Sequence, residues 1–490
     1  MSLKNYIIIL LLPLFACSES FLDKDPMSTL TDATFYKTED DALASLSGVY
    51  DAFAKNNTMD FLYLIHGYMP CGDVLAGSQG LANSTYLYNI DINTGGGIWN
   101  GTYLVVTRAN TTIDMVGEMS IDEELKQRVV AEAKFLRGLA YFNLARYFGG
   151  VPLITYMQTA STDFYPSRAP VEDVWAQVKK DFTEAAQVLP VSYESNDLGR
   201  ATKGAALAML AKTHLEIAEY EEVVTRSEEV IALNTYELRD EMLDNFSQTE
   251  NNGSESIFET QHRIDPNGGW KDDNDAFWLS AYMAPPGIGT EYAPFGGWGG
   301  YSPTPQLLNA YEPGDERLKG TFLFVGDEHV SGYIMEDSTA DYNTELYPAV
   351  PAIHKWWRGP AGDPQKQYDN MNFPYIRYAE LLLNYAQALN EVGRSADAIG
   401  QINIVRNRSE LPDLPMDLSK NGVLDAIFQE RRVEFVFEYS FWRDLIRRDR
   451  AAKFALEEHG QVWPEHQRLM PIPQNEMDNN PNLTQQNPGY

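Results

Sequence analysis

The chain has 490 residues, 44% of them hydrophobic, and a formal net charge of −32. That length supports a sizeable core, and that charge opposes nucleic acid, whose binding needs lysine and arginine to neutralise phosphate. Two cysteines exclude a disulfide framework or a cysteine-rich metal site, and seven scattered histidines form no HExxH zinc pattern.

The first residues read as a lipoprotein signal peptide over 1–16. Lys4 supplies the positive end, Ile7 to Leu12 the apolar run, and Ala16 the small residue before the cut. The run falls well short of the roughly 20 apolar residues that span a bilayer. Cys17 is the expected lipidation site, and residues 17–30 are the expected tether, so that acyl chains hold a soluble body at the membrane.

Helical signals begin near Asp32, where Thr31 and Asp32 offer caps and Ala42, Leu43, Leu46, Val49 and Tyr50 form a stripe. The Gly-rich stretch from Thr94 to Gly101 interrupts the pattern, without the strand–helix frame of a phosphate cradle. The strongest helix runs from about Glu123 to Phe148 and stops at Gly149-Gly150-Val151-Pro152; another opens at about Val171. Lys203 to Leu233 reads as helix–turn–helix, and Tyr375 to Arg408 repeats the plan. Each is about the 34 residues of a tetratricopeptide unit, and neither pair can bury its apolar face alone, so the two should stack. Between them, about 236–372, periodicity gives way to Gly, Pro, Asp, Asn and aromatic residues, as in a loop-rich lobe with short strands. A last long helix is expected over about Val423 to Arg447. The predicted fold class is mainly α: helical pairs (about 31–235 and 373–450) packed against that lobe within one domain, 31–490.

Several runs, in one order along nearly the whole chain, resemble the SusD/RagB family. They include Tyr147-Phe148-Gly149-Gly150-Val151-Pro152-Leu153, Arg200-Ala201-Thr202-Lys203-Gly204 and Arg377-Tyr378-Ala379-Glu380. Glu430-Arg431-Arg432-Val433-Glu434-Phe435, Trp442-Arg443-Asp444-Leu445 and the ending Gln486-Asn487-Pro488-Gly489-Tyr490 belong to the same set. Two places depart from the family pattern: Tyr439-Ser440-Phe441, where a Gly and a basic residue are usual, and the weakly acidic Ser18-Glu19-Ser20. The resemblance implies a lipid-anchored outer-membrane protein of the cell surface, with no catalytic residues and no cofactor. Such a protein captures oligosaccharide and delivers it to a SusC-like TonB-dependent transporter. Some relatives capture peptides instead.

A sugar presents C–H patches on its faces and hydroxyls at its rim. Binding therefore calls for displayed aromatic rings beside polar side chains. The middle segment supplies Trp270, Trp278, Tyr282, Tyr292, Phe295, Trp298 and Tyr301 among Pro285-Pro286-Gly287 and Gly296 to Gly300. Trp270, Trp278, Tyr292 and Trp298 are the candidate ligand platforms. By family layout Trp99 and Asn100 form a second pair, with Asp73 a polar candidate; the competing role for Trp99 is packing at the start of the next helix. Trp356-Trp357-Arg358 reads as packing between lobe and repeats. Asp272-Asp273-Asn274-Asp275 is a conceivable Ca²⁺ loop, though without EF-hand spacing, and a solvated acidic loop is the plainer reading.

A glycoside hydrolase is the alternative from another class, since such enzymes need two carboxylates facing one bond. Glu434 and Glu438 lie one helical turn apart, but Arg431, Arg443 and Arg447 on the same predicted helix favour ion pairing. His214 has no second candidate ligand near it in sequence. The acidic surplus suggests that neutral glycans bind better than sulfated or uronic ones.

Overall fold

The computed structural model describes residues 35–55, 66–76, 88, 90–162, 164–247, 249–262, 282–285, 288–289, 297–329, 332–335, 351–357, 371–438 and 440–490. Helices dominate. The first, α1 (Glu39–Ala54), starts later than the Thr31–Asp32 signal. Its cap is Thr38, whose side chain accepts from Asp41 N while the Asp41 carboxylate accepts from Thr38 N, a reciprocal capping box.

Next come α2 (Gly96–Gly117), α3 (Glu123–Phe148) and α4 (Val171–Val188). The bounds of α3 follow the sequence signals: Asp122 accepts from Leu125 N at 2.9 Å, and Gly149 ends the helix at φ +75°. From Ala131 onward nearly every residue of α3 is buried. Its Arg137 binds Asp181 of α4 through two nitrogens (2.9 and 2.7 Å) and Asn110 of α2 (2.8 Å), so one guanidinium ties three helices.

Two helical pairs follow the predicted repeat plan: α5 (Lys203–Glu216) with α6 (Tyr220–Ala232), and α7 (Tyr378–Glu391) with α8 (Ser395–Arg408). They stack through a small apolar seam of Ala211, Leu215, Val223 and Ala388. His214 is not isolated: its Nδ1 lies 2.5 Å from Glu219 across the turn of the first pair.

The expected 423–447 helix is two helices, α9 (Lys420–Glu434) and α10 (Phe441–Arg447), followed by α11 (Ala451–His459). The break lies at Phe437, whose φ of +59° cannot continue a right-handed helix. No glycine marks that turn in the sequence.

The described strands form three antiparallel two-stranded ribbons: β1 (Val74–Ala76) with β3 (Tyr301–Pro303), β2 (Ser256–Thr260) with β6 (Phe373–Arg377), and β4 (Phe322–Leu323) with β5 (Ala352–Ile353). Two of them stitch the middle segment to its surroundings, β1–β3 to the N-terminal part and β2–β6 to the strand that leads into α7. Trp356 and Trp357 are fully buried, Trp356 stacked on Phe373 and Trp357 on His329.

A dry ionic core lies where β6 meets α9. Arg377, 1% exposed, donates to Glu255 (2.7 Å), Glu434 (2.6 Å) and Glu438 (2.9 Å). Arg317 and Arg408 also bind Glu434, and Lys355 binds Glu438 at 2.6 Å. The sequence reading of these carboxylates as structural stands, but not their partners. Arg431 and Arg447 instead bind Asp444, and Arg443 donates to the backbone carbonyls of Arg146 and Arg468.

Candidate ligand-binding site

Four of the sequence-predicted positions can be placed, and they separate into different roles. Trp270, Trp278 and Tyr292 lie outside the described residues, as do Cys17, Arg358 and the Asp272–Asp275 loop. Trp99 is 3% exposed. The Gly run does not form an open loop there. It leads into α2 at Gly96, which puts Trp99 in the first turn, edge-on to Phe148 (5.1 Å between centroids) and tilted against Tyr103 (5.0 Å). Trp99 is therefore a core residue, and its neighbour Asn100, about 100° round the helix, faces solvent. The expected Trp99–Asn100 platform does not form.

Asp73 is also displaced from its expected role. It is fully buried, and Arg432 donates to both of its carboxylate oxygens (2.7 and 3.0 Å), with His459 Nε2 at 3.2 Å. Burial pushes the Asp73 carboxyl up, but the charge of Arg432 and the contact with His459 outweigh it and hold the group below its ordinary value. Its oxygens are thus committed to protein partners.

Trp298 is different. Gly297 to Gly300 run beside Tyr282 to Pro285 as a clasp: Gly299 N donates to Ala284 O (2.9 Å) and Gly300 N to Tyr282 O (2.7 Å). The clasp demands glycine. Gly297 has φ +67°, and a Cβ there would sit 2.0 Å from Pro285 O. Trp298, partly exposed, stands edge-on to Tyr282 with 4.7 Å between centroids. Below it the rings continue inward: Tyr282 to Tyr301 (6.3 Å), Tyr301 to Phe437 (6.2 Å), Phe437 to Tyr68 (5.4 Å). A partly exposed ring packed on an aromatic row is a rigid plate of the kind a sugar face can stack on. Sequence reasoning gave the ring and the glycines but missed the supporting row. Its members are drawn from positions 68, 282, 301 and 437, with no spacing that links them.

Comparison with known proteins extends this picture. The family model described as the SusD family matches residues 254–490, and one described as starch-binding, associating with outer membrane, matches residues 20–215. A SusD-like protein of Bacteroides ovatus is 29% identical over 464 residues, covering 88% of this chain and 79% of its own. SusD-like protein P2 of Formosa agariphila is 26% identical over 516 residues, 99% of each chain. Among solved structures, a SusD-like protein from Bacteroides fragilis superposes with TM-score 0.80 at 23% identity, over 95% of this chain and 100% of that one. A laminarin-binding SusD-like protein does so with TM-score 0.76 at 27% identity, over 93% and 100%. Two family models that divide the chain between them, near-full-length relatives and a shared helical architecture agree: the chain belongs to the SusD/RagB family.

Proposed function

We propose that this protein is a cell-surface glycan-binding lipoprotein that captures oligosaccharide on the Trp298 face. It then delivers the ligand, chemically unchanged, to a SusC-like TonB-dependent transporter in the outer membrane. The observation that carries the reading is the glycine clasp, which presents a partly exposed tryptophan on a rigid aromatic base. Family membership supports the binding role. The laminarin-binding neighbour favours sugar over peptide, and the description of the N-terminal family model supports the outer-membrane site. No helix among the described residues is long and apolar enough to cross a membrane, which is consistent with attachment through Cys17. The Glu434–Glu438 pair offers hydrolysis no purchase, since both carboxylates are buried and held by cations.

Calorimetric titration with laminarin, starch, and sulfated and uronic glycans tests the reading. A neutral glycan should bind best and be recovered intact. Trp298→Ala should weaken it by about 2 kcal/mol, roughly thirtyfold, without unfolding the protein. Unaltered affinity in that variant, or preference for the charged chains, would overturn the reading.

A further inference from the structure

Asp73 is remote from Trp298 in sequence, yet two physical connections run from one to the other. The first is the backbone. Asp73 O accepts from Thr304 N (2.9 Å) and Thr304 Oγ1 (3.0 Å), and β1 continues from it, pairing Val74 with Pro303, Leu75 with Ser302 and Ala76 with Tyr301. Tyr301 is the next residue after the clasp, so the ribbon fixes where the clasp emerges. The second is the row of rings from Trp298 through Tyr282, Tyr301 and Phe437 to Tyr68, which stands one short 3₁₀ turn (Met69–Cys71) before Gly72 and Asp73. Both connections lead back to the short segment that carries Asp73, whose side chain is fully buried.

The Asp73 carboxylate is anchored to α9 and α11. Arg432 of α9 grips it with two nitrogens, while its Nη1 binds Glu458 of α11 at 2.8 Å and its guanidinium lies over Phe454 (4.8 Å). His459, at the end of α11, closes the other side and packs against Gly72. A two-pronged arginine–carboxylate contact fixes direction as well as distance. Binding groups need to be held to about half an ångström, which loops do not achieve without such support.

From this geometry we infer that Asp73 is a positioning residue: clamped by Arg432 and His459, it fixes the β1–β3 ribbon and through it the placement of Trp298 for ligand. This deepens the reading of Trp298 as the ligand plate and rests on it. Asp73 itself touches no ligand.

Hydrogen exchange read by mass spectrometry tests the inference without any ligand. In Asp73→Asn, which keeps the shape and removes the charge, peptides covering 297–304 should exchange on the order of tenfold faster, while those of α3 stay unchanged. Thr304→Val, which removes one hydrogen bond to Asp73 O, should show a smaller effect in the same peptides, and serves if Asp73→Asn folds poorly. Unchanged exchange over 297–304, or equal acceleration throughout the chain, overturns the positioning role. Titration with laminarin adds a double-mutant cycle. Asp73→Asn should weaken binding about tenfold in the native background and have little effect once Trp298 is alanine. If the two losses simply add, Asp73 does not act through Trp298. If exchange changes as expected but Trp298→Ala binds laminarin like the native protein, the ligand plate is wrong and the ribbon clamp survives.

Discussion

The ionic core under α9 and the glycine clasp around Trp298 hold their shapes by opposite means. In the core, Arg377, Arg317, Arg408 and Lys355 meet Glu255, Glu434 and Glu438 largely shielded from solvent, and each carboxylate has at least two cationic partners. Order there is over-determined, and removing any member leaves a buried charge short of a partner. Among the described residues, the clasp is held by backbone hydrogen bonds to Ala284 and Tyr282, the edge-on contact of Trp298 with Tyr282 and the conformational range of glycine. We expect its order to be lost at little cost to the ionic core. The contrast is between an enclosed ionic frame and a clasp whose tryptophan reaches the surface.

The sharpest way to break this division is Arg377→Met. Three carboxylates would lose a shared cation, and we expect a loss of about 3–5 kcal/mol in chemical denaturation. Laminarin affinity of the folded fraction should be unaltered; a parallel loss of affinity would show that the two regions are not independent.

Acid should act on the same core with a smaller effect. Burial raises the Glu434 and Glu438 carboxyls, but the charges of Arg408 and Arg377 on the first, and of Arg377 and Lys355 on the second, outweigh it and hold both below the ordinary 4.5. A carboxylate whose folded value is depressed stabilises the fold above its unfolded value, and that stability is lost as pH falls through the folded one. The thermal midpoint should therefore hold from neutrality to about pH 5 and decline below it, less steeply in Glu434→Gln, as followed by calorimetry across pH.

Gly297→Ala should affect stability least. The added methyl meets Pro285 O and the left-handed backbone resists alanine, so the clasp opens. Binding should fall as far as in Trp298→Ala, while the thermal midpoint moves by less than about 2 °C. A large fall in the midpoint would mean that the clasp is part of the frame.

Much of this architecture is legible in the chain itself. Asp122, Gly149 and Pro170 bound α3 and the start of α4 because caps and breakers act on adjacent residues. The two helical pairs are readable from spacing for the same reason. What escapes is whatever depends on distant partners. Arg377 and Glu255 stand 122 positions apart, and nothing in their surroundings announces the pair. The turn at Phe437 carries no glycine, so a continuous helix is the natural reading. Trp99 and Asp73 have residue types that suit a sugar site, and only packing against Phe148 and Arg432 shows that both are enclosed. At Trp298 the glycines reveal a special backbone, but not the Tyr282 ring against which the indole stands.

Cys71 sits beside this framework with a consequence for experiment. Its thiol is fully enclosed, and burial together with the Asp73 charge pushes its ionisation well above the ordinary range. A thiol that neither ionises nor meets solvent is inert to alkylating reagents. Release of the 69–73 segment would make it reactive, so the chain carries its own stopwatch: the rate at which maleimide labels Cys71 measures how often that segment comes free, with no cysteine introduced.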